Sequence, residues 1–156
     1  MSITTGQQAP AFILHDTDKK EISLKEQEGK NVLLLFFPLA FTSTCTKELC
    51  SIRDNIAVYN NTNATVFGIS VDSPQTLSKF KQEQGLNFTL LSDFNREASA
   101  AYGALYDNFA GWMKGVSKRA AFVVDKQGII RYAEVLENAG GLPDFGTIED
   151  TLKNLK

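Results

Sequence analysis

Cysteine is scarce in this chain, histidine scarcer still, and net charge almost absent. Two cysteines, Cys45 and Cys50, and one histidine, His15, occur in 156 residues. Two thiols and one distant imidazole cannot supply the four nitrogen or sulfur ligands of a structural zinc site, so no metal is expected. Nor do two cysteines five residues apart make a disulfide framework, because a chain of this length needs no such small loop to hold it together. Formal charge is −2 with acidic and basic residues interspersed, which is not the electrostatic footprint of a nucleic-acid binder. Lys19-Lys20 and Lys118-Arg119 are too short to count as basic patches. No apolar run is long enough to span a bilayer, and residues 1–10 are polar without the apolar stretch of a signal peptide. The expectation is a soluble, cytoplasmic protein with no nucleic-acid or membrane partner.

What is present is an apolar content of 43%, enough for an ordinary packed core, and one domain over residues 1–156 is expected with no room for a separate cofactor domain. Residues 31–37 (NVLLLFF) form a continuous apolar run, the mark of a central strand buried on both faces. Pro38 ends it. Leu49, Ile52, Ile56 and Tyr59 recur at helical spacing and predict a helix over 44–59, with Ser43 or Thr44 as N-cap. Residues 65–71 (TVFGISV) read as a second buried strand, after which Asp72-Ser73-Pro74 opens a helix that Gly85 closes. A short strand over 88–91 and a short helix over 96–102, stopped by Gly103, come next. Residues 119–125 and 129–134 flank Lys126-Gln127-Gly128 as a hairpin, and a helix over 147–155 closes the chain. Residues 12–15 and 21–24 make a smaller hairpin near the start. This order implies an α/β fold, a thioredoxin-like mixed sheet flanked by helices and extended by an N-terminal β-hairpin. Such a fold does not by itself assign a function.

Cys45 lies where the central strand hands over to a helix, within Pro38-Leu39-Ala40-Phe41-Thr42-Ser43-Thr44-Cys45. In the first turn of a helix, unpaired backbone N–H groups and the positive end of the helix dipole favour a thiolate over a thiol. Reduction of a peroxide needs such a thiolate, donors that orient the peroxide and take up charge on the leaving oxygen, and partial exclusion of water. Thr42 is placed to turn its hydroxyl toward the same pocket, and Pro38 to cover the sulfur with a fixed backbone. Arg119 opens a strand expected beside the one ending at Phe37, which makes its guanidinium the candidate cation. Taken singly, each residue is more often a strand stop, a helix cap or a solvated charge. Taken together, a Pro-x3-Thr-x2-Cys pattern around a given cysteine arises by chance about once in several hundred.

At these residues the sequence resembles the peroxiredoxins, whose signature is matched by Pro38, Thr42 and Cys45. The similarity runs along nearly the whole chain, through Ala9-Pro10-x-Phe12, Phe36-Phe37-Pro38, Gly68-Ile69-Ser70-Val71-Asp72, Leu91-Ser92-Asp93 and Arg119-x-x-Phe122-Val123-Val124-Asp125. The resemblance implies a thiol-dependent peroxidase acting on hydrogen peroxide and organic hydroperoxides. It makes Cys45 the peroxidatic cysteine in a pocket formed by Pro38, Thr42 and Arg119, with Glu48 in the supporting hydrogen-bond network. It also implies chemistry without metal, haem or flavin, and a thioredoxin-like or low-molecular-weight thiol as reductant. Two subclasses look close. Residues 36–42 and 128–134 are similar to the alkyl hydroperoxide reductase E class, often dimeric and often without a nearby resolving cysteine. Cys45-x4-Cys50 is similar to the bacterioferritin comigratory, or Q-type, class, in which the second cysteine resolves the sulfenic acid. Monomer and homodimer both stay open, as does a resolving role for Cys50.

Other functions compete on the same fold. A thiol-disulfide oxidoreductase is disfavoured because the Cys-x-x-Cys pair is missing, whereas a peroxide sensor differs from an enzyme only in failing to turn over. Phe41, Phe109 and Trp112 fall in or near segments expected beside the pocket, where they could line an approach for alkyl peroxides, form a dimer face or simply pack.

Overall fold

The computed structural model describes residues 3–155. Its centre is a seven-stranded mixed sheet of strand order β2-β1-β5-β4-β3-β6-β7. The strands are β1 (Ile13–Asp16), β2 (Glu21–Ser23), β3 (Asn31–Phe36), β4 (Ala64–Ser70), β5 (Thr89–Ser92), β6 (Arg119–Val124) and β7 (Ile130–Leu136). β3, β4 and β5 run parallel, while β6 pairs antiparallel with both β3 and β7. Every residue of β3 and β6 is buried; for β3 this is what the continuous apolar run of residues 31–37 leads one to expect of a strand covered on both faces. The N-terminal hairpin of β1 and β2 is not a separate appendage. It extends the sheet through antiparallel pairing of β1 with β5.

Side chains of β3 and of Phe37, which follows it, alternate between two cores, as the two-residue strand period requires. Leu33, Leu35 and Phe37 meet Leu49, Ile52, Leu77, Phe80, Ile148 and Leu152 on one face. These come from α1 (Ser43–Asp54), α3 (Pro74–Gln84) and α5 (Phe145–Asn154). Val32, Leu34 and Phe36 meet Phe12, Leu14, Tyr102 and Phe122 on the other, where α4 (Glu97–Ala101) lies. Gly68 in β4 lets the first face close. A Cβ there would come within 2.7 Å of Leu90 Cδ2 and 3.4 Å of the Phe37 ring. Among the described residues no helix is long and apolar enough to cross a membrane.

Two sequence expectations need correction. The helix expected over 44–59 is broken, α1 ending at Asp54 and α2 spanning Ile56–Asn61. Asn55 interrupts it with φ −116° and ψ 20°, and its side-chain amide donates to the Ser51 carbonyl at 3.0 Å; local bonding of this kind competes with the helix ladder. The N-cap is Thr42, not Ser43 or Thr44, and its hydroxyl makes no capping bond. The hydroxyl donates backward to the Leu39 carbonyl at 2.8 Å, while the Thr42 carbonyl accepts from Thr46 N. The helix opened by Ser73 and Pro74 and closed by left-handed Gly85 forms as expected, with Ser73 Oγ accepting from Thr76 N.

Candidate active site

β3 ends at Phe36, and after six intervening residues α1 begins at Ser43. The connecting turn is fixed from beneath by Asp72, whose Oδ2 accepts from Ala40 N at 2.8 Å and from Ser70 Oγ at 2.7 Å. Phe41 takes a positive φ of 68°, an uncommon conformation for a bulky residue, and lays its half-exposed ring against Phe80 at 5.1 Å. This turn delivers Cys45 to the third position of α1, buried at 1% exposure.

β6 runs antiparallel to β3 with Ala120 opposite Phe36, so its first residue, Arg119, arrives where β3 ends. The guanidinium holds the Cys45 sulfur from two nitrogens, Nη1 and Nη2 each at 3.3 Å. Nη1 also donates to Glu48 Oε1 at 2.7 Å, and Nε and Nη2 donate to the Ala139 carbonyl at 3.3 and 2.9 Å. Burial opposes the charge on Arg119, but Glu48 and Cys45 outweigh it and hold the group above its ordinary value. Burial also pushes the Glu48 carboxyl up to about 7 against the pull of Arg119. Glu48 is fully buried, and among the described residues its Oε2 has no hydrogen-bond partner.

A cleft of about 230 Å³ opens onto the sulfur, lined by Pro38, Thr42, Ser43, Thr44, Phe109, Arg119, Ala139 and Gly140. Pro38, Thr42, Cys45 and Arg119, picked out from sequence, therefore share one cavity. Glu48 reaches them only through Arg119. Cys50 stands apart from the cleft, half-buried, with its sulfur 3.6 Å from Gln84 Oε1. Of the three aromatics, Phe109 alone lines the cleft, while Trp112 is 74% exposed. Sequence reasoning missed Asp72 and Ala139. Asp72 sits in the Gly-Ile-Ser-Val-Asp run and could have been found there; Ala139 acts through its carbonyl, for which no side-chain signal exists.

A thiol held by a guanidinium at the start of a helix, on a thioredoxin-like sheet, defines an enzyme of two-electron thiol chemistry. The sequence model of the AhpC/TSA family matches residues 5–133. Alkyl hydroperoxide reductase E of Mycobacterium tuberculosis is 40% identical over 136 residues, covering 85% of this chain and 86% of its own. Peroxiredoxin Bcp of Escherichia coli is 35% identical over 131 residues, covering 83% and 84%. The crystal structure of peroxidoxin BcpB from M. tuberculosis superposes with a TM-score of 0.86 at 27% identity, over 99% of both chains. The chain belongs to the AhpC/TSA family of peroxiredoxins. It is a thiol-dependent peroxidase working through a catalytic cysteine, with a hydroperoxide as substrate and thiols as the source of electrons.

Proposed function

We propose that Cys45 is the nucleophile, that hydrogen peroxide and small organic hydroperoxides are its substrates, and that residues 1–156 act as one cytoplasmic domain. The observation that carries the assignment is the two-nitrogen contact of Arg119 with the Cys45 sulfur at the floor of the cleft. The thiolate attacks the terminal oxygen of the hydroperoxide. An S–O bond forms as the O–O bond breaks, sulfur is oxidised by two electrons, and the leaving oxygen takes a proton to become water or an alcohol. The Arg119 N–H groups stabilise the thiolate beforehand and the charge that develops on oxygen afterwards. Thr42 has already given its own proton to Leu39, so toward the substrate its oxygen serves as an acceptor, orienting the peroxide O–H. Pro38 and Phe109 narrow the cleft and limit water.

The sulfenic acid is then reduced by a thioredoxin-like or low-molecular-weight thiol, directly or after Cys50 displaces water to form a Cys45–Cys50 disulfide. Cys50 shares α1 with Cys45 and keeps a free, half-buried thiol, which supports the second route. Cys45→Ser is expected to abolish peroxide consumption while leaving the far-UV circular dichroism unchanged. Rapid consumption retained by that variant would remove Cys45 from the role.

A further inference from the structure

The cation of the site has a support outside every regular element. A guanidinium is a rigid plane with five N–H donors, and a single bond to Glu48 through Nη1 would leave that plane free to swing. The Ala139 carbonyl stops the swing by accepting from Nε and Nη2 together, across one edge of the plane. Only then does the remaining edge, Nη1 with Nη2, rest squarely on the sulfur.

Ala139 lies just beyond β7, in a turn shaped by its neighbour. Asn138 Oδ1 accepts from Gly140 N at 2.9 Å, and the Asn138 carbonyl accepts from Gly141 N at 3.1 Å. The turn is moored one residue earlier. The Glu137 carbonyl accepts from Tyr106 Oη at 2.9 Å, and its carboxylate pairs with Lys118 Nζ at 2.8 Å. Lys118 immediately precedes Arg119, and the Tyr106 ring packs at a tilt against Phe109 of the cleft wall, with centroids 5.2 Å apart.

We propose that Asn138 is a positioning residue for the peroxidase reaction: its turn fixes the Ala139 carbonyl, which aims the Arg119 guanidinium at the Cys45 sulfur. The proposal rests on Cys45 being the reactive thiol. An exposed turn asparagine with a merely structural role would affect stability and nothing at the sulfur. The test uses the full, reduced protein and compares wild type with Asn138→Ala, Asn138→Asp, which keeps the accepting oxygen, and Tyr106→Phe, which slackens the mooring from the other side. The readouts are the second-order rate of Cys45 oxidation by hydrogen peroxide and the pH profile of Cys45 alkylation by iodoacetamide, followed by peptide mass.

Asn138→Ala is expected to slow oxidation about tenfold, the scale of one lost hydrogen-bonded support to a charged group, and to move the alkylation profile toward higher pH. Asn138→Asp should return both to within about twofold of wild type, and Tyr106→Phe should shift both in the same direction as alanine by a smaller amount. A wild-type alkylation profile in both Asn138→Ala and Tyr106→Phe, or an aspartate variant as impaired as alanine, would overturn the proposal. Wild-type protein that alkylates normally yet ignores peroxide would instead overturn the peroxidase role of Cys45. The alkylation profiles decide the role of Asn138 in either case.

Discussion

Glu48 is a carboxylic acid sealed in the core, one bond from the cation that serves the sulfur. Two anions, on Cys45 and on Glu48, facing one buried guanidinium would leave an uncompensated charge, and desolvation lifts Glu48 from 4.5 to about 7. The folded chain therefore holds this proton more tightly than the unfolded chain. The resulting stabilisation is complete below the ordinary carboxylate value and is lost as pH rises through about 7. Glu48→Gln has no proton to lose. From about pH 5 to about pH 8 the wild type should lose roughly 3 kcal/mol relative to that variant, measured by urea unfolding of the reduced proteins. Parallel pH dependences would show that Glu48 titrates in the ordinary range. Pro38, Thr42, Cys45 and Arg119, which the cleft brings together, were legible from sequence because each is a particular residue type at a fixed place in a recognisable segment. Ala139 was illegible because a carbonyl has no residue type, and the left-handed backbone of Phe41 because nothing in a phenylalanine announces it.

α1 carries both thiols, and its geometry decides how they can meet. Five residues along a helix separate the Cα atoms by roughly 8.6 Å, beyond the roughly 7 Å that a disulfide spans. If Cys50 resolves the sulfenic acid, the first turns of α1 must unwind. One equivalent of peroxide should then give a product about 2 mass units lighter, without free thiols, and cut more readily by protease within residues 43–53. A lasting sulfenic acid on Cys45 beside a free Cys50 thiol would exclude the pairing. The break at Asn55 makes the unwinding a local event, since α1 stops at Asp54 and α2 starts afresh at Ile56. Apolar spacing could not reveal that break, because Leu49, Ile52, Ile56 and Tyr59 keep a helical rhythm straight across it. The hydrogen bond from the Asn55 side chain to Ser51 is a choice between local partners that periodicity does not register.

The molecule is a sheet with a core on each face, and the first is closed tightly around Gly68. Gly68 sits against Leu90 and Phe37, both fully buried, so Gly68→Ala must displace a side chain with nowhere to go. A loss of about 1–3 kcal/mol is expected, read as a lower urea midpoint, and an unchanged midpoint would show that Leu90 can yield. Strands β3 and β4 were legible because strands covered on both sides are largely apolar, and β6 because Lys126-Gln127-Gly128 marks a hairpin after it. The pairing of β1 with β5 was not, since its partners lie some 75 residues apart and no local pattern encodes that choice. The antiparallel pairing of β6 with β3 carries a consequence for how such a chain can vary. The backbone of Arg119 is set by the register of β6 on β3, in which Ala120 lies opposite Phe36, not by the length of the segment joining α4 to β6, so residues inserted or deleted around Phe109 would reshape the mouth of the cleft while the Arg119 backbone stayed in place. Between Cys45 and Glu48 no such freedom exists, because one added residue would turn the carboxylate about 100° away around α1. The mouth of the cleft can thus vary with loop length, whereas the spacing from Cys45 to Glu48 along α1 cannot.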